Sequence, residues 1–72
     1  MTDQTEIGAV KIIEIMGIST ESFEHAINEA VAKASESING ITGVEVVKQT
    51  GTVKDGRIDR FSVVVKLSFM VK

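Results

Sequence analysis

The hydrophobic positions change their period along the chain, and each change marks an element. Residues 1–7 are polar up to Ile7 and follow no period, which predicts a flexible N-terminal tail. From Ala9 to Met16, Val10, Ile12, Ile13 and Ile15 cluster around Lys11 and Glu14, and Gly17 follows. Such β-branched enrichment ended by glycine predicts a strand. Its imperfect alternation fits burial on both faces for part of its length.

The period then lengthens. Phe23, Ala26, Ile27, Ala30, Val31, Ala34 and Ile38 form the stripe of an amphipathic helix, opposite Glu24, Asn28, Glu29, Lys33 and Glu36. Ser19 is placed to accept from a free backbone N–H as N-cap, with Glu21 in the first turn, where the helix dipole favours a negative charge. Ile18 and Phe23 then fall at the two positions of a hydrophobic staple. Glu29 and Lys33 have the favourable i,i+4 orientation. Asn39-Gly40 supplies a left-handed C-cap. The alanines in the stripe let the helix sit close to a sheet.

Residues from Val44 to Val53 are strand-like again, with Gly51 marking a bulge or a close backbone approach. Asp55-Gly56, inside Lys54–Arg57, supplies the positive φ of a tight hairpin. In the last strand Phe61, Val63, Val65, Leu67, Phe69 and Val71 alternate with Ser62, Val64, Lys66, Ser68, Met70 and Lys72. The first set makes a core face; the second is mixed.

The order is β-α-β-β. A right-handed crossover through the helix makes the first two strands parallel. The hairpin makes the third antiparallel to the second, and it can slot between them in the order 1-3-2. The expected fold is therefore α+β, one sheet with one helix on one face. Val64, Met70 and part of the first strand are left on the other face, which something must cover, as it must the two edges.

Seventy-two residues make one domain, expected over residues 8–72, and 43% of the chain is hydrophobic. A domain this small is marginal without a staple, and with no Cys there is no disulfide or thiolate metal site. A marginal core with that much apolar content points to self-association. Eight Lys and Arg against ten Asp and Glu leave −2, which argues against nucleic acid as a partner. No apolar run exceeds four residues, far short of the roughly 20 that span a bilayer. No charged-then-apolar leader opens the sequence, and the expected location is the cytoplasm.

Chemistry is sparse. His25 is the single histidine and reads as a solvated residue at the edge of the polar helix face. No serine lies in a Gly-x-Ser-x-Gly elbow. Asp55 and Asp59 flank the hairpin and read as hydrated, since calcium takes six to eight closely placed oxygens. Copies of Asp59 or Glu45 meeting on a symmetry axis could still hold an ion. Residues 51–56 join two strands, not a strand to a helix, so they make no phosphate loop. No catalytic residue and no metal constellation within one chain is assigned, and an enzyme is not expected.

Glu14-Ile15-Met16-Gly17-Ile18-Ser19-Thr20-Glu21-Ser22-Phe23, the Ala-rich helix, Val44-Glu45-Val46-Val47, the Asp55-Gly56 hairpin and Val65-Lys66-Leu67-Ser68-Phe69 closely resemble the dodecins, from about Val10 to Val71. The resemblance implies a three-stranded antiparallel sheet partly wrapping one helix, and a hollow homododecamer with cubic symmetry. It also implies small-molecule binding, chiefly of flavins such as riboflavin or FMN, held in stacked pairs between subunits. Flavin-binding members stack the ring on a Trp that opens the second strand and hydrogen-bond it from a Gln in the third. Those positions are Gly43 and Ser62 here, and the chain has no Trp. The ligand-binding residues expected from this resemblance are Gly43, Glu45 and Ser62. The competing expectation is a structural or ion-binding shell that takes no flavin.

Overall fold

A computed structural model of the chain describes residues 8–71. Residues 1–7, where the tail is expected, lie outside the described residues. Four elements follow in order: β1 (Val10–Ser19), α1 (Phe23–Ser35), β2 (Ile41–Lys54) and β3 (Arg57–Met70). The sheet order is β1-β3-β2, with β3 antiparallel to both neighbours, as expected.

The alternation of β3 determines the core. Val63, Val65 and Leu67 are fully buried and pack on Ala26 and Ala30 of α1, with Ile13, Ile15, Phe23, Ile27, Val31, Ala34 and Ile41 around them. Phe23 meets Phe61 edge to face, with centroids 4.9 Å apart and planes at 81°, a preferred aromatic geometry.

Gly17 does not end β1. The strand runs on to Ser19, with Gly17 opposite Val63 and Ser19 opposite Phe61. The missing side chain instead lets the helix lie on the strand: a Cβ at Gly17 would overlap the Ala26 carbonyl oxygen. This extension moves the helix start. Ser22, not Ser19, is the N-cap, with extended backbone (φ −169°, ψ 166°) and Oγ accepting from His25 N–H at 2.9 Å. Ser19 leads the chain in, its Oγ accepting from Glu21 N–H at 2.8 Å and more weakly from Ser22 N–H at 3.5 Å. Phe23 is thus the first helical residue, and the staple with Ile18 does not form, because Ile18 faces outward, 51% exposed.

The helix also stops earlier than its stripe. Glu36 is the C-cap, and Ile38 keeps its place only through a turn in which its N–H donates to the Ala34 carbonyl at 2.9 Å. Gly40, at φ 80°, belongs to the link into β2 and not to a cap. Lys33 pairs with Glu36 at 3.9 Å, while Glu29 lies beside His25.

β2 begins before Val44. Its register with β3 shifts at Ile41/Gly43, Val46/Lys48 and Thr52/Val53. Gly51 is not one of these shifts; it is the close approach, since a Cβ there would come within 3.0 Å of Ile58 Cγ2. At the hairpin, Asp55 and Gly56 have φ of 54° and 77°, the left-handed pair that a two-residue turn between twisted strands needs.

α1 packs on β1 and β3 and barely reaches β2. Val44 and Val46 lie opposite the buried Leu67 and Val65, yet remain 51% and 41% exposed. On the face away from the helix, Val10, Ile12, Met16 and Ile18 are also exposed. Beyond Phe61 the sheet continues only as the β2–β3 ribbon, with Val53 and Ile58 bare near its tip. The radius of gyration is 15.0 Å, against about 11 Å for a compact domain of this length. The chain is elongated over its described residues, and its apolar surface is spread over two faces.

Candidate functional site

β2 and β3 build a groove on the sheet face away from the helix. In register, Gly43 lies opposite Ser68 and Glu45 opposite Lys66; on the other side of β3, Ile12 lies opposite Ser68 and Glu14 opposite Lys66. Ile12, Gly43, Val44, Glu45, Lys66 and Ser68 line a hollow of about 230 Å³. Residues directly opposite on antiparallel strands share a face, so this placement follows from the register.

Gly43 shapes the floor. A Cβ there would overlap Ser68 Oγ, so the serine hydroxyl sits where a side chain at 43 would begin. Lys66, half-buried on the central strand, has Glu14 and Glu45 as its two cross-strand neighbours. Among the described residues, Lys33 pairs with Glu36, and the His25 ring lies near Glu21 and Glu29. Neither the Lys66 ammonium nor the Glu45 carboxylate is among them.

Of the three residues expected from sequence, the structure brings Gly43 and Glu45 together and leaves Ser62 apart. Ser62 pairs with Ile18 and Thr50, is 9% exposed, and lies six positions along β3 from Ser68. That is about 20 Å at ~3.3 Å per residue. Lys66 and Ser68 were not expected as site residues. The signal for them is present: a hairpin turning at Asp55-Gly56 and counted back places Ser68 against Gly43 and Lys66 against Glu45.

A second cluster stands at the start of α1. Ser19 Oγ lies 2.7 Å from His25 Nδ1, and His25 Nε2 is 3.9 Å from Glu29 Oε2. Ser19 Oγ accepts from the Glu21 N–H and shares its hydrogen bond with His25 Nδ1, which also lies 3.6 Å from Glu21 Oε2. Despite its Ser-His-Glu order, the cluster is poorly suited to nucleophilic work. Ser19 is 8% exposed and its lone pairs are engaged. It ties β1 to α1.

At the hairpin, Thr52 Oγ1 donates to Asp59 Oδ1 at 2.5 Å. Among the described residues, no three His, Asp or Glu side chains are grouped to hold a metal, and no helix is long and apolar enough to cross a membrane.

Fold and groove together define a class: small α+β subunits whose three-stranded sheet holds one helix on one face and keeps the other open. The chain belongs to the dodecin family, whose family model matches residues 9–72. The dodecin of Thermus thermophilus is 29% identical over 62 residues, covering 86% of this chain and 90% of that protein. The dodecin structure from Streptomyces davaonensis is similar at a TM-score of 0.83 and 28% identity, covering 89% of this chain and 94% of that one. A Mycobacterium tuberculosis structure, described as a calcium-chelating immunodominant antigen and calcium dodecin with a novel calcium-binding site, is similar at 0.77 and 32% identity. The match there covers 90% of this chain and 93% of that one.

Proposed function

We propose that this protein is a dodecin-like hollow homododecamer, cytoplasmic and without catalytic activity, that binds and stores a small molecule of flavin type such as riboflavin or FMN. The observation that carries this reading is the family match over residues 9–72 joined to an open groove at Gly43 and Glu45. Gly43 and Glu45 line the groove of one copy, and Ser62, further along the same face, contributes a hydroxyl where copies meet. The exposed Ile12, Met16, Ile18, Val44 and Val46 supply the apolar surface that such an assembly covers. Titrating riboflavin or FMN with purified protein tests the reading through flavin fluorescence. Saturable quenching at micromolar protein supports it, and a flat titration removes the flavin.

The second reading is a structural or ion-binding shell. It is favoured by the calcium dodecin at 32% identity and by Glu45, which has no ion-pair partner among the described residues and whose copies on a symmetry axis would supply carboxylate oxygens. Calorimetric titration with calcium distinguishes the two: heat saturating at a fixed fraction of a site per subunit, with no flavin quenching, selects the ion.

A further inference from the structure

Building on the small-molecule reading above, we infer that Glu45, Lys66 and Ser68 form the recognition edge of the groove. The ligand they select carries an imide or ureide edge, a ring N–H between two carbonyls, as flavins, pteridine-diones and pyrimidine-diones do.

The charge pattern suits neither a plain anion nor a plain cation. A plain anion drawn to Lys66 would meet Glu14 and Glu45 on either side of it. A plain cation drawn to those carboxylates would meet the ammonium between them. A neutral ring edge that alternates acceptor, donor, acceptor satisfies both. Lys66 and Ser68 donate to the two carbonyls and Glu45 accepts the N–H. All three side chains line the hollow, and none has a side-chain partner among the described residues. A half-buried ammonium with no side-chain partner among the described residues has its donor capacity free for a ligand.

The apolar parts agree with a flat ring. Gly43 gives a floor without a side chain, and Ile12 gives an apolar wall. Ser62, which stands where flavin-binding relatives are expected to carry an amide, is already 9% exposed within a single subunit, and assembly can only cover it further. Ser62 is left to contribute where copies meet, and at a ring seated over Gly43 the hydrogen bonds come from the pair on β3 nearest to it.

The test compares lumiflavin with 3-methyllumiflavin, which differ only in the ring N–H, by fluorescence titration of the assembled protein and of Glu45→Ala. Lumiflavin is expected to bind about tenfold or more tighter than its methylated form, the effect of one hydrogen bond to a charged group. In Glu45→Ala, which alters an exposed side chain, that ratio is expected to fall close to one. Equal binding of the two flavins to the wild-type protein overturns the recognition edge and leaves the small-molecule reading intact. So does a ratio that survives in Glu45→Ala. If neither flavin saturates the wild-type protein, both the reading and the edge fall. Should Glu45→Ala fail to assemble, the wild-type ratio and the same comparison in Glu45→Leu, which keeps bulk and removes the acceptor, decide the matter.

Discussion

Gly17 of β1 lies directly against Ala26 of α1: a Cβ on Gly17 would overlap the Ala26 carbonyl oxygen and stand 2.9 Å from the Ala30 Cβ. The obstruction is backbone, so no rotamer change relieves it. This contact sets the height of the helix over the sheet, and with it the packing of Ala26 and Ala30 on Val63, Val65 and Leu67. Gly17→Ala is expected to cost about 3 kcal/mol, the upper part of the usual overpacking range, read as a lower urea midpoint. Adding Ala30→Gly is not expected to restore it, since the carbonyl remains. A wild-type midpoint in Gly17→Ala would contradict the packing.

The helix start makes a smaller prediction. Ser22→Ala removes the side-chain acceptor for His25 N–H and is expected to cost about 1 kcal/mol, whereas Ser22→Asp keeps a capping oxygen and is expected to be near neutral. Thermal denaturation of the two variants separates them. If both match the wild type, Ser22 is not the cap.

Met16 and Ile18 point away from the helix and are 57% and 51% exposed. A charge there meets water in the single subunit but apolar surface in an assembly. Ile18→Asp is therefore expected to keep its helix and sheet signals in circular dichroism while its mass in solution falls well below that of the wild-type protein. An unchanged mass would show that this face is not covered by other copies.

Gly43 and Ser68 make a prediction about stacking. Only the Ser68 hydroxyl stands in the way of a side chain at 43, because the Ser68 Cβ is 3.8 Å from the Cβ position, and a hydroxyl can rotate aside. Gly43→Trp is expected to tighten riboflavin binding about two- to twelvefold, since aromatic stacking adds roughly 0.5–1.5 kcal/mol beyond area burial. Quenching titrations of the wild type and Gly43→Trp read this ratio. No gain would place the flavin away from Gly43.

Much of the fold was legible because strict alternation on a central strand leaves one choice. Phe61, Val63, Val65 and Leu67 had to face the helix, and that put β3 in the middle. The helix ends were less legible. Ser19 and Ser22 both suit a cap, and what decides between them is that Gly17 pairs with Val63 and carries β1 three residues further, a tertiary fact invisible to local pattern. Likewise the stripe includes Ile38, although its place is kept by a turn after α1 has ended. Gly43 and Glu45 were expected through family resemblance, whereas placing Lys66 and Ser68 beside them required the register. Simple hairpin counting gives that register only because the extra residue at Val47 in β2 compensates the extra residue at Asp59 in β3, and the sequence does not announce that the two cancel. Ser62 lies apart from the groove for a simpler reason. Alternation assigns a face, but not a distance along it.

The most direct test of the whole account is native mass spectrometry of the purified protein after incubation with riboflavin. The expected result is a species near 94 kDa, twelve chains of 7.8 kDa each, carrying riboflavin in whole-molecule increments. A species near 8 kDa would contradict the shell, and a dodecamer without any riboflavin increment would contradict the flavin it is proposed to store.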